Sequence, residues 1–277
     1  MHDGPIGVFD SGLGGLTVLQ ALADLLPGED LVYFGDTARY PYGDRSAEEL
    51  RRFSDQIADL LVAQGAKMLV VACNSATAAA LEHLRDRLDI PVIGVVEPGL
   101  RAADKASRSR RTVVIGTRMT AGSRVYEHTA DRLKLDLDVD VLACPGFVEL
   151  VEEGRTDTPE AIAVVRERLA PLLTARTDTL VLGCTHYPLL SRAIGEVVGR
   201  SVILVSSADE TAFEVRDLLE RMGWLAGEAP RGRLRFLTSG DPTRFAELGE
   251  RFLGTPLTDV AAHRWTADDQ VAVERAS

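Results

Sequence analysis

Leu69-Val70-Val71-Ala72-Cys73-Asn74-Ser75-Ala76-Thr77 joins an unbroken apolar run to a cysteine, two small polar residues and an alanine-rich pattern of helical spacing. An apolar run of this length fits a strand buried on both faces of a parallel sheet. Open α/β sheets bind ligands outside the carboxyl ends of their strands, so Cys73 falls at the mouth of a crevice. The amides of Asn74, Ser75 and Ala76 open the next helix, whose positive end favours an anion and a thiolate alike. The pattern returns in Leu180-Val181-Leu182-Gly183-Cys184-Thr185-His186-Tyr187-Pro188. Two cysteines in matching settings predict two related halves facing each other across one site.

Outward from these stretches, strands and helices alternate. Residues 6–10, 31–34, 92–93, 112–115, 139–143, 202–205 and 234–237 read as further strands. Ser46 and Glu49 form a capping box for a helix through Ala63. Pro159 opens a helix to about Leu173, and residues 148–153, 206–222 and 242–252 read as others. Glu97-Pro98-Gly99 is a breaker cluster where the chain crosses between halves. The alternation predicts an α/β protein of two similar lobes, each a mostly parallel sheet flanked by helices, with the active site in the cleft between them. The first lobe takes residues 1–97 plus 208–264 and carries Asp10 and Cys73. The second takes 98–207 and carries Cys184. Residues 265–277 read as a frayed polar tail.

A chain of 277 residues has room for about two domains. Its net charge of −11 argues against general nucleic-acid binding. The five basic residues between Arg101 and Arg111 read as a solvated helix end and turn rather than a partner patch. No apolar run approaches the ~20 residues that span a bilayer, which argues against a membrane. The first residues lack the basic and long apolar regions of a secretory signal, so the expected location is cytoplasmic. Three cysteines without framework spacing predict free thiols in a reducing compartment. Lys67, Lys105 and Lys134 are the three lysines, a small choice for the Schiff base of a pyridoxal enzyme.

Two thiols at equivalent strand ends suit the removal of a proton from one face of a carbon and delivery of another to the opposite face. One starts as thiolate and one as thiol; a free thiol has a pKa of about 8.5, which helix starts and neighbours move. His186 stands two residues from Cys184 as its polar helper. Asp10 ends the first strand and falls beside Cys73.

Val8-Phe9-Asp10-Ser11-Gly12-Leu13-Gly14-Gly15, the segment from Tyr33 to Gly43, Ala72-Cys73-Asn74-Ser75-Ala76 and Gly183-Cys184-Thr185-His186-Tyr187-Pro188 closely resemble the glutamate racemases of the aspartate/glutamate racemase family. The likeness runs in order from about residue 5 to 255. It implies a cofactor-independent, two-base interconversion of L- and D-glutamate that supplies D-glutamate for peptidoglycan and cell-wall biosynthesis. By that resemblance Cys73 takes the α-proton from D-glutamate and Cys184 takes it from L-glutamate, with Asp10 and His186 assisting. Asp10, Ser11, Tyr42, Gly43, Asn74, Ser75, Thr185 and His186 match substrate contacts, and Asp36 and Glu152 match auxiliary acidic positions of the site. The resemblance also admits a homodimer. Some members of the family bind DNA gyrase, for which these residues carry no signal.

Plainer readings stand beside these. Cys144 matches no catalytic position and reads as core filler. Zinc on Cys73, Cys184 and His186 lacks metal-ligand spacing, so no metal is expected. Gly12, Gly14 and Gly15 fall short of a dinucleotide fingerprint, since Thr17 takes the third glycine's place; the expected role of Gly14 and Gly15 is a tight turn. The rival functions are a sister racemase for aspartate or another acidic amino acid, a catalytically silent protein binding through the same cleft and, more distantly, a nucleotide-binding dehydrogenase.

Overall fold

The structure, a computed structural model, describes residues 3–170, 177–227 and 230–265. The chain opens with β1 (Ile6–Asp10), β2 (Leu31–Gly35), β3 (Met68–Val71) and β4 (Val92–Gly94). A second series follows: β5 (Arg111–Gly116), β6 (Asp138–Ala143), β7 (Thr179–Gly183) and β8 (Ile203–Ser206). Last come β9 (Leu234–Thr238) and β10 (Val260–Ala262). They make two sheets, ordered β10-β9-β2-β1-β3-β4 and β6-β5-β7-β8. Every pairing is parallel.

The two series share one order: second strand, first, third, fourth. In each, the chain leaves the first strand for a neighbour on one side and returns to lay the third on the other. That reversal opens a crevice at the carboxyl ends, between β1 and β3 in one sheet and between β5 and β7 in the other. β1, β2, β3 and β7 are buried along their whole length, as unbroken apolar runs require. Along β1 the side chains alternate between two cores: Ile6 and Val8 pack with Leu16, Leu19 and Val215, and Phe9 packs with Phe53, Ile57 and Leu69.

Helices fill the connections. α1 (Leu16–Leu25) follows the glycine turn, and α2 (Ala47–Ala63) has the expected box, with Ser46 and Glu49 capping each other's amides. α3 (Asn74–Arg87) starts directly after Cys73. α4 (Val96–Ala106) contains the Glu97-Pro98-Gly99 cluster read as a breaker. Pro98 is its third residue, where no intrahelical partner exists for a backbone N–H, so the proline costs the helix nothing. α5 (Arg118–Gly122), α6 (Val125–Arg132) and α7 (Phe147–Glu152) lead to α8 (Pro159–Leu169). The expected extension of α8 to Leu173 enters 171–176, outside the described residues. α9 (Ser191–Val198), α10 (Ser207–Met222) and α11 (Pro242–Leu253) complete the set.

The two cysteine corners differ. A helix starting at Thr185 would need the N–H of its fourth residue, which is Pro188. A 3-10 turn, Tyr187–Leu190, intervenes instead, and α9 begins only at Ser191. β10 has no strong signal in the sequence: it is three residues long and half exposed. Trp265, assigned to the frayed tail, is held in place by Asp36 and Arg39; residues 266–277 lie outside the described residues. In the basic run, Arg101, Lys105, Arg110 and Arg111 pair with carboxylates, which neutralises the patch. Among the described residues no helix is long and apolar enough to cross a membrane.

Candidate active site

Both crevices deliver reactive side chains. Asp10 ends β1, Cys73 follows β3, Thr117 follows β5 and Cys184 follows β7. The crevices face each other closely. Thr185 Oγ1 donates to Asp10 Oδ1 at 3.4 Å, and Ser75 Oγ and Thr117 Oγ1 lie 2.9 Å apart. Between them is a cavity of about 220 Å³ bordered by both Cys73 and Cys184. Ser11, Tyr42, Gly43, Asn74, Ser75, Thr185, His186 and Glu152 line it as well.

Cys73 sits in extended backbone as the N-cap of α3, and its Sγ accepts from the Ala76 amide at 3.5 Å. The helix start is expected to favour a thiolate here. Burial outweighs it, and the Asp10 carboxylate adds to burial, so the Cys73 thiol is pushed well above its ordinary range. Burial and the Asp10 carboxylate thus favour the thiol form of Cys73. Asp10 is itself fully buried just behind the cavity, and its Oδ2 accepts from the amides of Gly12 and Gly15, both at 3.1 Å. The glycine loop thus wraps the chain's own carboxylate, not a nucleotide phosphate.

At the other corner, His186 Nδ1 stands 4.0 Å from Cys184 Sγ and His186 Nε2 3.4 Å from Glu152 Oε1. Burial alone would lower the imidazole. The contacts to Cys184 and Glu152 together overcome it and raise His186 to about 10. The site thus favours the protonated imidazole beside Cys184.

Gly14 and Gly15 do more than permit a turn, and neither has positive φ. A Cβ on Gly14 would collide with Thr185 Oγ1 and lie 2.6 Å from His186 Nδ1; one on Gly15 would lie 2.6 Å from Asp10 Cβ. The missing side chain of Gly14 lets the two corners close on each other, and that of Gly15 lets the loop wrap Asp10 within its own corner.

Asp36 does not line the cavity. Its buried carboxylate is taken up by Arg39 Nε at 2.6 Å, Ser239 Oγ at 2.7 Å, Trp265 Nε1 at 3.0 Å and the Tyr42 hydroxyl. It acts on the wall through Tyr42. Cys144, read as filler, is buried but borders the cavity, as do Tyr40, Thr117, Arg118 and Glu149, which the sequence reading missed. Thr117 had a findable signal, since it follows β5 as Cys184 follows β7. Among the described residues no group of three His, Cys, Asp or Glu side chains is placed to hold a metal ion.

Fold and comparison agree on a class, the racemases, isomerases that invert a carbon centre. The chain belongs to the Asp/Glu/Hydantoin racemase family, whose model matches residues 6–212. It is 49% identical to a glutamate racemase of Parafrankia sp. (strain EAN1pec), over 94% of this chain and 95% of that one. Its structure is similar to that of a glutamate racemase from Bacillus anthracis, with a TM-score of 0.90 and 41% identity over 95% of this chain and 98% of that one. A glutamate racemase from Francisella tularensis in complex with D-glutamate gives a TM-score of 0.88 at 32% identity, over 95% of this chain and 98% of that one.

Proposed function

We propose that the chain interconverts L- and D-glutamate by two-base proton exchange between Cys73 and Cys184. The observation that carries this reading is the single cavity bordered by both cysteines. In the L-to-D direction the Cys184 sulfur takes the α-proton, and the electron pair stays on the carbon as a carbanion-like state. Cys73, which holds a proton, delivers it to the opposite face. The D-to-L direction runs the same steps backwards. His186 serves the Cys184 side and Asp10 the Cys73 side. The substrate's carboxylates meet the Asn74 amide, the hydroxyls of Ser11 and Thr185 and the helix-start amides. Glu152 and Glu149 offer negative charge to its ammonium. Enclosure strengthens each of these dipoles as charge develops on the carbon. On this reading the lobes are residues 1–97 with 208–264, and 98–207, and the product feeds cell-wall peptidoglycan in the cytoplasm.

The test is circular dichroism of glutamate on the purified full chain, with aspartate run in parallel. Wild type should interconvert the glutamate enantiomers and exchange the α-hydrogen with solvent deuterium. Cys73→Ala and Cys184→Ala should each abolish racemisation, and Cys144→Ala should retain it. Undiminished turnover in either of the first two refutes the two-thiol reading. Faster turnover of aspartate moves the substrate assignment to the smaller acid.

A further inference from the structure

We propose that Tyr126, a residue outside the cavity, is a positioning residue that fixes which end of the Asn74 amide meets the substrate. The inference rests on the glutamate reading above. Tyr126 lies on α6, in the core between α4, β5 and β7. Its hydroxyl donates to Asn74 Oδ1 at 2.7 Å, from one half of the molecule to the other. Asn74 is 3% exposed and lines the cavity, and its Nδ2 has no hydrogen-bond partner.

A buried amide donor left unpaired costs about 1–3 kcal/mol. A ligand carboxylate at the cavity wall would satisfy it. The two ends of an asparagine side chain are close in shape, so packing alone does not choose between them. The phenol proton chooses: Asn74 Oδ1 is its acceptor, and a turned amide could donate Nδ2–H to the Tyr126 oxygen only by leaving that proton without the acceptor it has here. With the Tyr126 hydroxyl bound at Oδ1, Nδ2 is the end left to offer N–H to an anion at the wall that Asn74 lines. Turned over, the amide would present Oδ1 and repel a carboxylate.

The path of the hydroxyl is built into the chain. A Cβ on Gly183 would lie 3.1 Å from Tyr126 Oη and 2.8 Å from the Ile115 carbonyl oxygen. Gly183 directly precedes Cys184, and Asn74 directly follows Cys73. Tyr126 therefore ties the two thiol-bearing corners together at the residues that flank them. The amide has its binding orientation only while the halves are in register.

The experiment measures kcat and KM for L-glutamate in wild type, Tyr126→Phe, Asn74→Ala and the double variant. Tyr126→Phe keeps the ring and removes one oxygen. It should raise KM about tenfold, the scale of one hydrogen bond to a charged group, and leave kcat within about twofold. In the Asn74→Ala background the same change should move KM by less than about twofold. An unchanged KM overturns the inference, and so does an equal rise in both backgrounds. Asn74→Asp is the second variant, for the case that Tyr126→Phe does not fold. It keeps an acceptor for Tyr126, removes the donor and adds a negative charge against the substrate carboxylate, so its KM should exceed that of wild type by more than Tyr126→Phe does; wild-type binding overturns the inference. A wild type without glutamate turnover defeats the parent reading and this inference together, whereas normal wild-type turnover with an unaltered Tyr126→Phe defeats this inference alone.

Discussion

Gly14→Ala adds one methyl group where the two halves close. Its Cβ would lie 2.6 Å from His186 Nδ1 and 2.9 Å from Cε1, and nearer still to Thr185 Oγ1. Non-bonded heavy atoms rest about 3.5–4.0 Å apart, so the Thr185-His186 segment must retreat by roughly 1 Å. The backbone at Gly14 is open to any residue, because its φ is not positive; the steric push is the whole perturbation. A misplacement of that size at a catalytic group costs about 10²-fold in rate. Overpacking a closed site costs about 1–3 kcal/mol of stability, a few degrees in Tm for a chain of this size. Racemisation followed by circular dichroism should show kcat/KM down about 100-fold, alongside that small thermal shift. Gly195→Ala is the control: nothing lies within 4 Å of a Cβ there, in the middle of α9. It should stabilise by about 0.5–1 kcal/mol with unchanged turnover. A Gly14→Ala protein with kcat/KM within about threefold of wild type would refute the view that close approach at this glycine sets the position of His186.

The remaining predictions follow from charge. His186 is raised from 6.5 to about 10, so its protonated form is the one the fold prefers. The stability this contributes is complete below about pH 6.5 and is lost as pH rises through about 10. Urea unfolding of wild type and His186→Gln across that window should show their difference shrinking; a difference independent of pH would refute the assignment. Lys67 Nζ pairs with Glu29 Oε2 at 2.7 Å, both side chains nearly sealed from solvent. Lys67→Met strands the Glu29 carboxylate and should cost about 3–5 kcal/mol in denaturant unfolding, with kcat unaltered below the melting range. A loss under 1 kcal/mol would show that the pair is not the anchor of that edge.

The fold was legible where side-chain period and burial coincide. Leu69 to Ala72 and Leu180 to Gly183 are apolar throughout because their strands are covered on both faces, and that is visible residue by residue. Cys73, Asn74, Ser75, Cys184, Thr185 and His186 followed, since a residue just past such a strand falls at the crevice. Asp36 was harder. Its match to an acidic site position says nothing of direction, and the four groups that turn its carboxylate away from the cavity include Ser239 and Trp265, more than two hundred residues along the chain. Cys144 and Glu149 were hidden for a related reason. They border the cavity because β6 lies beside β5, and strand order is a long-range property that no local window holds. Tyr126 was invisible: an ordinary tyrosine on a short helix gives no sign that its hydroxyl meets an asparagine in the other half.

The repeat that organises the chain stops short of symmetry, and Pro188 is where it breaks. Because α3 can start directly after Cys73, the Cys73 sulfur receives a helix amide and shares its surroundings with a carboxylate, Asp10. Because no α-helix can start after Cys184, the chain turns there with 3-10 geometry and brings an imidazole to the sulfur instead. One corner favours a proton on sulfur and the other favours a protonated imidazole beside it. The two-thiol mechanism proposed here needs such a difference, since it has the two thiols begin each turnover in opposite protonation states. Thermodynamics still requires equal kcat/KM for the two enantiomers, because their equilibrium constant in water is one. The unlike corners must therefore appear as compensating differences in kcat and KM taken singly. Changing Asp10 or His186 should alter that split between enantiomers while their kcat/KM values fall together.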